Sequence, residues 1–257
     1  MTAGPALSAA AFIAGTILGS FYYTLAVRLA GGMFSEGPLR GLVSPSSCPS
    51  CGGNIRAIDM IPIIGFIIRR GRCRACGAPV SHFYLYSEIV FGLIAMLTLA
   101  YMGAAIVSIS AFLVMGTGIA IAVVDARTMK IPLPLVALTL LLAIDAVRGV
   151  SGFADTAGGF LLMFLFFGTI LLLFPGSFGG GDLWYASALG LLFGLELSVV
   201  LLEISLLSGA IFGTAYAIIT KKGFRTRIPF APFLTLGMIG AYLFGRRILF
   251  VYYDVFF

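Results

Sequence analysis

The amino-acid sequence predicts an all-α membrane protein of about eight transmembrane helices, with a small cytoplasmic insertion between the first and second helices. Hydrophobic residues make up 60% of the 257 residues, charged residues make up only 10%, and the mean hydropathy is +1.11. This composition is typical of a chain whose solvent is mostly lipid. The apolar residues form runs of about 20, the length that a helix needs to cross a bilayer. One long polar break, from about residue 30 to residue 82, interrupts them.

The transmembrane helices follow from the apolar runs, taken in chain order. The first run has no basic segment before it and no small-residue cleavage site after a short core, so we interpret it as a retained helix and not as a signal peptide. We predict three regions: a first helix at 1–30, a cytoplasmic domain at 31–82 and a multi-span membrane domain at 83–257. The predicted spans are 6–29, 83–102, 106–124, 133–149, 158–174, 183–196, 198–219 and 230–249.

The distribution of basic residues predicts which ends of the spans face the cytoplasm, because cytoplasmic loops near span ends retain Lys and Arg. With the N-terminus outside, all of the 16 Lys and Arg residues except Arg148, Arg246 and Arg247 fall on the cytoplasmic side. We therefore interpret the net charge of +6 as a topology signal. The sequence has no basic groove interleaved with aromatic residues, so the expected partner is membrane lipid and no nucleic acid.

The polar break contains all four cysteines of the chain, Cys48, Cys51, Cys73 and Cys76, as two C-x2-C pairs separated by 21 residues. Each pair can place two thiolates on one tight turn, and the glycines that follow allow the left-handed backbone of such a turn. Four thiolates suit tetrahedral zinc, whereas two disulfides, the alternative, would not persist in a reducing cytoplasm. We predict a structural zinc ion, because a shell of four protein ligands leaves no open position for chemistry. Zinc can contribute on the order of 10 kcal/mol of apparent binding free energy to a small domain with few buried hydrophobic residues.

Two aspartates differ from the other acids because each lies at the cytoplasmic end of a predicted span. Asp125 ends one apolar run, and Asp182 opens another directly after Gly179, Gly180 and Gly181. These glycines let the backbone bend and let another backbone approach closely. Because the predicted topology places both span ends at the same face of the membrane, the two carboxyl groups can meet.

Two carboxyl groups in opposed protonation states can hydrolyse a peptide bond. The helix dipole favours the charged form of an acid at a helix N-terminus and disfavours it at a helix C-terminus. We therefore expect Asp182 to be the base that takes a proton from water and Asp125 to be the acid that polarises the scissile carbonyl. Two other interpretations stay open. Asp182 can be a helix cap, with Asp125 held by Arg127 or Lys130, or the paired acids can carry protons or cations through a transporter.

Several short motifs occur along the chain in a specific order. They are GSF at 19–21 with Arg28, the four-cysteine segment at 48–81, Glu88, DARTMKIP at 125–132, GGGD at 179–182 and IPFAPFLTLG at 228–237. Together they resemble the motifs of the bacterial type IV prepilin peptidase family. Gly179, Gly181 and Asp182 match the GxGD signature that this family shares with other intramembrane aspartic proteases. Trp184 stands where the family usually has a lysine, and several other polar residues typical of the family are also replaced. The sequence is therefore also compatible with a homologue that binds pilin-like helices without cutting them.

The resemblance implies a membrane aspartic endopeptidase with Asp125 and Asp182 as its catalytic residues. Its implied substrate is a type IV prepilin or pseudopilin, cleaved after a glycine at the end of a short cytoplasmic leader. The implied location is the bacterial inner membrane, with the active site facing the cytoplasm and the glycines at 179–181 admitting the extended substrate backbone. Many family members also methylate the new N-terminus, so S-adenosylmethionine is a further implied cofactor beside zinc.

Overall fold

The computed structural model describes residues 4–32, 45–103, 106–142, 152–176, 178–221 and 227–256. Within these ranges the regular structure is helical, apart from two isolated β-bridges. Six of the described helices are long and apolar enough to cross a membrane. The predicted class, an all-α multi-pass membrane protein, is therefore confirmed.

The helices occur in chain order with a polar insertion after the first. They are α1 (Pro5–Ala30), a 3₁₀ helix (Ala57–Met60), α2 (Ile64–Ile68), α3 (His82–Met102), α4 (Ile106–Thr128), α5 (Leu133–Leu142), α6 (Phe153–Leu173), α7 (Gly180–Thr220) and α8 (Ala231–Phe256).

The chain forms two compact units, Met1–Ala104 and Ala105–Phe257. The first contains the insertion between α1 and α3, and the second contains α4 to α8. The three regions predicted from hydropathy, with boundaries after residues 30 and 82, stay a prediction.

In the first unit, α1 packs against α3 through small residues. A Cβ atom added to Gly15 would lie 2.8 Å from Cα of Gly92 and 2.8 Å from Cβ of Ala95. A Cβ atom added to Gly19 would lie 2.7 Å from Cβ of Phe91. Small residues spaced four apart bring helix backbones this close, which is how membrane helices associate when lipid surrounds them.

In the second unit, α7 turns sharply at Gly194, which has φ of 72° and ψ of −177°. The Ser198 hydroxyl donates a hydrogen bond to the carbonyl oxygen of Gly190 at 3.4 Å, whereas residues eight apart in a straight helix are separated by about 12 Å. The 41 residues of α7 therefore form two helical segments. The predicted break between residues 196 and 198 lies within a few residues of the observed one.

The carboxylate of Asp155 stabilises this turn. Its Oδ1 atom accepts a hydrogen bond from the backbone N–H of Leu195 at 2.8 Å, the first residue after the break. That N–H group would otherwise be unpaired at the start of the second segment of α7. With α7 counted as two segments and the short apolar helix α5 included, the described helices agree with the predicted number of about eight. Residues 143–149 of the fourth predicted span lie outside the described residues.

Candidate functional site

Asp125 lies in the last turn of α4 and is only 4% exposed. Its Oδ2 atom accepts a hydrogen bond from the backbone N–H of Ala231 at 3.1 Å, and the backbone N–H of Phe230 also bonds to this carboxyl group. Ala231 is the first residue of α8. The carboxyl group of Asp125 therefore binds N–H groups at the start of another helix, where a negative group is favoured.

Asp182 lies in the first turn of α7 and is 8% exposed. Its Oδ2 atom accepts a hydrogen bond from the backbone N–H of Gly179 at 2.8 Å, which is the geometry of a helix cap. Its Oδ1 atom is buried and has no hydrogen-bond partner among the described residues. Capping thus occupies one carboxylate oxygen and leaves the other without a partner among the described residues.

The segments that bear the two aspartates converge at one end of the second unit. The rings of Phe178, before α7, and Phe230, before α8, are 4.7 Å apart. A Cβ atom on Gly181 would lie 2.9 Å from Cβ of Ile131, in the loop that follows α4. The carboxyl groups of Asp125 and Asp182 are close enough to interact electrostatically. The structure therefore brings together the two acids that the sequence singles out.

The glycines before Asp182 differ in their surroundings. Gly179 is the N-cap of α7 with φ of −84°, and Gly180 and Gly181 belong to the first helical turn. Space around the added Cβ is open at Gly180 but not at Gly181. The left-handed backbone of this segment occurs earlier, at Gly176, where φ is 89°. Close approach to Ile131 is thus the reason for glycine at position 181, whereas admission of a substrate backbone stays a prediction.

A buried polar cluster joins the three helices that position the aspartates. The hydroxyl groups of Tyr185 in α7 and Thr235 in α8 are 3.1 Å apart, and Thr235 also donates to the carbonyl oxygen of Gly118 in α4 at 3.0 Å. Tyr185 lies three residues after Asp182 and has no exposed surface. This cluster was not predicted, because its one signal in the sequence is a tyrosine at helical spacing from Asp182.

In the first unit, the four cysteines meet in one cluster. Their Sγ atoms all lie within 4.8 Å of one another, and none of them is in a disulfide. Cys48 Sγ and Cys76 Sγ, which belong to different pairs, are 3.9 Å apart. Four thiolates at about 2.3 Å from a tetrahedral zinc ion would be separated by about 3.8 Å. The cluster therefore fits a metal ion of that size and geometry.

The two cysteine pairs have the same backbone turn. In the first turn, the N–H of Cys48 bonds to the Gly53 carbonyl at 2.9 Å and the N–H of Gly52 bonds to the Cys48 carbonyl at 2.8 Å. In the second, Cys73, Gly77 and Ala78 make the corresponding bonds at 2.8 and 3.0 Å. Gly52 and Gly77 have φ of 70° and 71°, the left-handed conformation that glycine adopts at no steric cost.

The first of these turns also favours the thiolate form of its ligand Cys48. The backbone N–H groups of Ser50 and Cys51 lower the pKa of Cys48 to about 6, because they hydrogen-bond to its sulfur. A thiolate is the form that binds metal. The backbone of the first cysteine turn therefore favours the form of Cys48 that coordinates a metal ion.

Two acids of the first unit have structural partners. Asp59 pairs with Arg69 at 2.6 Å and lies 3.8 Å from Arg74. Glu88 is 7% exposed, and its Oε2 atom accepts a hydrogen bond from the backbone N–H of Ile63 at 2.6 Å. Glu88 therefore fastens the insertion to α3.

Comparison with known proteins gives family matches over most of the chain. Residues 13–102 match the family model described as the bacterial peptidase A24 N-terminal domain, and residues 112–214 match the type IV leader peptidase family. No solved structure matches the chain.

Curated relatives with one shared name match the chain along much of its length. A prepilin leader peptidase/N-methyltransferase of Bacillus subtilis (strain 168) is 32% identical over 251 residues, which cover 94% of this chain and 96% of the relative. Proteins of the same name from Burkholderia pseudomallei (strain 1026b) and Aeromonas hydrophila are 32% and 29% identical and cover 79% and 83% of this chain. These matches cover 68% and 76% of the two relatives.

Proposed function

The chain belongs to the type IV leader peptidase family, and from that premise we propose that it is a membrane aspartic endopeptidase that removes the leader of type IV prepilins or pseudopilins. The observation that carries the proposal is the pair of buried acids at one end of the second unit, in which one oxygen of Asp182 has no partner among the described residues. A buried acid with an unused oxygen is costly as a structural feature and useful as a base.

We assign the roles from the helix end at which each acid lies, because the helix dipole disfavours a charge at the C-terminus of α4 and favours one at the N-terminus of α7. The N–H groups that bond to Asp125 act against this difference and stabilise the charge that Asp125 acquires once it has given up its proton. Asp182, at a helix N-terminus and with Oδ1 unbonded, takes a proton from water while the water oxygen attacks the scissile carbonyl carbon. Asp125, protonated at the start of the reaction, donates its proton to the carbonyl oxygen. Collapse of the tetrahedral intermediate then breaks the C–N bond. The leaving amine takes up the proton that Asp182 received, and one hydroxyl group of the intermediate returns a proton to Asp125, so the carboxyl product forms and both acids regain their starting states. Backbone N–H groups from 230–231 hold the Asp125 carboxyl group in place throughout.

The cysteine cluster would hold zinc as a structural ion. Cys48, Cys51, Cys73 and Cys76 provide the four sulfurs, and their separations suit a tetrahedral shell. Zinc supplies no step of the hydrolysis, because a closed shell leaves no position for water. S-adenosylmethionine would supply a methyl group for the new N-terminus. That second activity rests on the names of the relatives alone.

The distribution of Lys and Arg supports an active site that faces the cytoplasm, and the bacterial sources of the relatives support a bacterial inner-membrane location. A prepilin anchored by its own apolar helix would then present the end of its leader at the face where Asp125 and Asp182 lie.

Coexpression with candidate prepilins tests the proposal, with the intact mass of each product as the measurement. The expected product lacks the leader and begins after its terminal glycine, and an additional methyl mass would reveal methyl transfer in the same spectrum. Products that keep their leader with every candidate, although they copurify with the protein, would contradict cleavage and favour a homologue that binds pilin-like helices.

A further inference from the structure

The insertion exposes a row of apolar side chains on the 3₁₀ helix, on α2 and between them. Six of these side chains are 44% to 62% exposed, and we call them the isoleucine patch. They are Ile58, Met60, Ile61, Ile64, Ile67 and Ile68. A water-soluble surface rarely presents so many large apolar side chains within a few residues.

Two contacts with α3 fix the level of this patch along the membrane normal. The backbone N–H of Ile63 donates to Glu88, which lies in the second turn of the membrane-spanning helix α3. The ring of Phe66, in α2, packs edge-on against the ring of His82 with centroids 5.5 Å apart. His82 is the first residue of α3. The patch therefore lies beside the first two turns of a helix that enters the bilayer.

The backbone at the start of α2 adopts an unfavourable conformation that contacts with α3 maintain. Ile63 has φ of 63°, a left-handed conformation that is unfavourable for a β-branched residue. Such a conformation persists when surrounding contacts determine it. The short bond from Ile63 to Glu88 is one such contact, so α2 is fixed to α3.

The exposed residues of α3 at this level are aromatic. Phe83 and Tyr86 are 64% and 55% exposed, and their rings are in edge-on contact with centroids 6.2 Å apart. Tyrosine is enriched where a membrane helix passes through the headgroup region. These aromatic residues therefore indicate, independently of the contacts with α2, that the first two turns of α3 lie at the membrane interface.

Exposed arginines flank the patch in the sequence. Arg56 precedes it, and Arg70 and Arg72 follow it, all with exposed side chains. Arg69 differs, because it pairs with Asp59. Guanidinium groups next to an apolar surface suit anionic lipid, since they reach the phosphates while the apolar side chains enter the acyl region.

We propose that the isoleucine patch is a membrane-interface anchor, which inserts into the leaflet beside the start of α3 while the flanking arginines bind phosphate groups of anionic lipids. The insertion is joined at both ends to membrane-spanning helices, α1 and α3, so it stays close to the surface of the membrane. This inference does not depend on proteolysis.

Tryptophan fluorescence in nanodiscs tests the anchor. The chain has one tryptophan, Trp184, so Trp184→Phe removes the background signal. In that background, Ile67→Trp should lose about half of its fluorescence when the lipids are brominated near the headgroup end of their acyl chains. Leu93→Trp, in the middle of α3 and 49% exposed, provides the reference for deeper bromine positions. The fluorescence of Ser50→Trp, at an exposed polar site of the first cysteine pair, should be quenched by acrylamide in the water and not by brominated lipid.

The outcomes separate the membrane from other occupants of the patch. Quenching of Ile67→Trp by acrylamide and not by brominated lipid would place the patch in water and overturn the proposal. Resistance to both quenchers would show that protein covers it, which would also overturn the proposal. Ile64→Trp repeats the test at a second position, and unchanged metal content of each variant verifies that the insertion is folded.

A second comparison tests the arginines. Lipid quenching of Ile67→Trp should be stronger in nanodiscs with anionic lipid than in nanodiscs of zwitterionic lipid alone, and Arg70→Gln with Arg72→Gln should remove that difference. Equal quenching in the two lipid compositions with the arginines present would contradict their role. Arg246→Gln with Arg247→Gln, in α8 of the other unit, is the matched charge control.

Discussion

The cysteine cluster contains four side chains and the aspartate pair contains two, and the two groups are assembled in opposite ways. The cysteines span residues 48 to 76, and each pair is shaped by hydrogen bonds within its own turn. Asp125 and Asp182 are 57 positions apart, and Asp125 takes a hydrogen bond from a residue 106 positions away. One site is thus made by local backbone geometry, and the other depends on the packing of α4, α7 and α8. Local substitutions should disrupt the first, and changes in helix packing should disrupt the second.

The largest effect expected is on the stability of the insertion when the proposed zinc ion is removed. Four thiolates around zinc can contribute on the order of 10 kcal/mol of apparent binding energy, and the insertion has few buried side chains to replace it. Cys48→Ser or a chelator should therefore make residues 45–81 sensitive to limited proteolysis. Ser50→Ala, which changes an exposed side chain in the same turn, is the control. Unchanged protease sensitivity after metal loss would contradict a structural metal.

The next largest effect is on catalysis. Asp182→Asn keeps an oxygen that can accept a hydrogen bond from Gly179 but removes the proposed base, so cleavage should fall by about 10²- to 10⁴-fold. Asp155→Asn is a matched control, since Asp155 also caps a helical segment through a backbone N–H but lies away from the pair. Prepilin cleavage measured by mass should be lost in the first variant and kept in the second. Equal loss in both would mean that capping, and not chemistry, explains Asp182.

Helix packing at the aspartate pair predicts a smaller effect. Gly181→Val places a Cβ atom 2.9 Å from Cβ of Ile131, and overpacking of this kind costs about 1–3 kcal/mol. Cleavage should fall about 10-fold or more, while the protein still inserts into the membrane. Gly168→Val, at a position in α6 where an added Cβ meets no atom within 4 Å, should cleave normally. Normal cleavage by Gly181→Val would mean that close approach to Ile131 does not require glycine at position 181.

The smallest effect concerns the polar cluster beside the pair. Tyr185→Phe removes one buried hydrogen bond, to Thr235, which is worth about 0.5–1.5 kcal/mol, so cleavage should fall by less than about tenfold. The matched control is Tyr242→Phe, because the Tyr242 hydroxyl is buried without a partner among the described residues. If both variants cleave like the unmodified protein, Tyr185 fills space and does not position the aspartates.

The two sites also differ in how far the sequence predicts them. The cysteine spacing predicts the cluster, because the turns that create it lie within the spacing itself. The positions of Asp125 and Asp182 at span ends indicate that they can meet. Successive spans alternate in direction, so the C-terminal end of the span that bears Asp125 and the N-terminal end of the span that bears Asp182 both lie at the predicted cytoplasmic face. The support from Ala231 could not be predicted, since any residue except proline provides a backbone N–H. The turn at Gly194 was predicted a few residues late, because apolar residues continue on both sides of it.

The bond from Ala231 to Asp125 has a consequence for genetics. Its donor is a main-chain group, so a conventional alanine scan would pass over position 231 and record nothing. Only a replacement that deletes the amide hydrogen, such as proline or an ester linkage, would reveal that this position helps to hold the carboxyl group of Asp125.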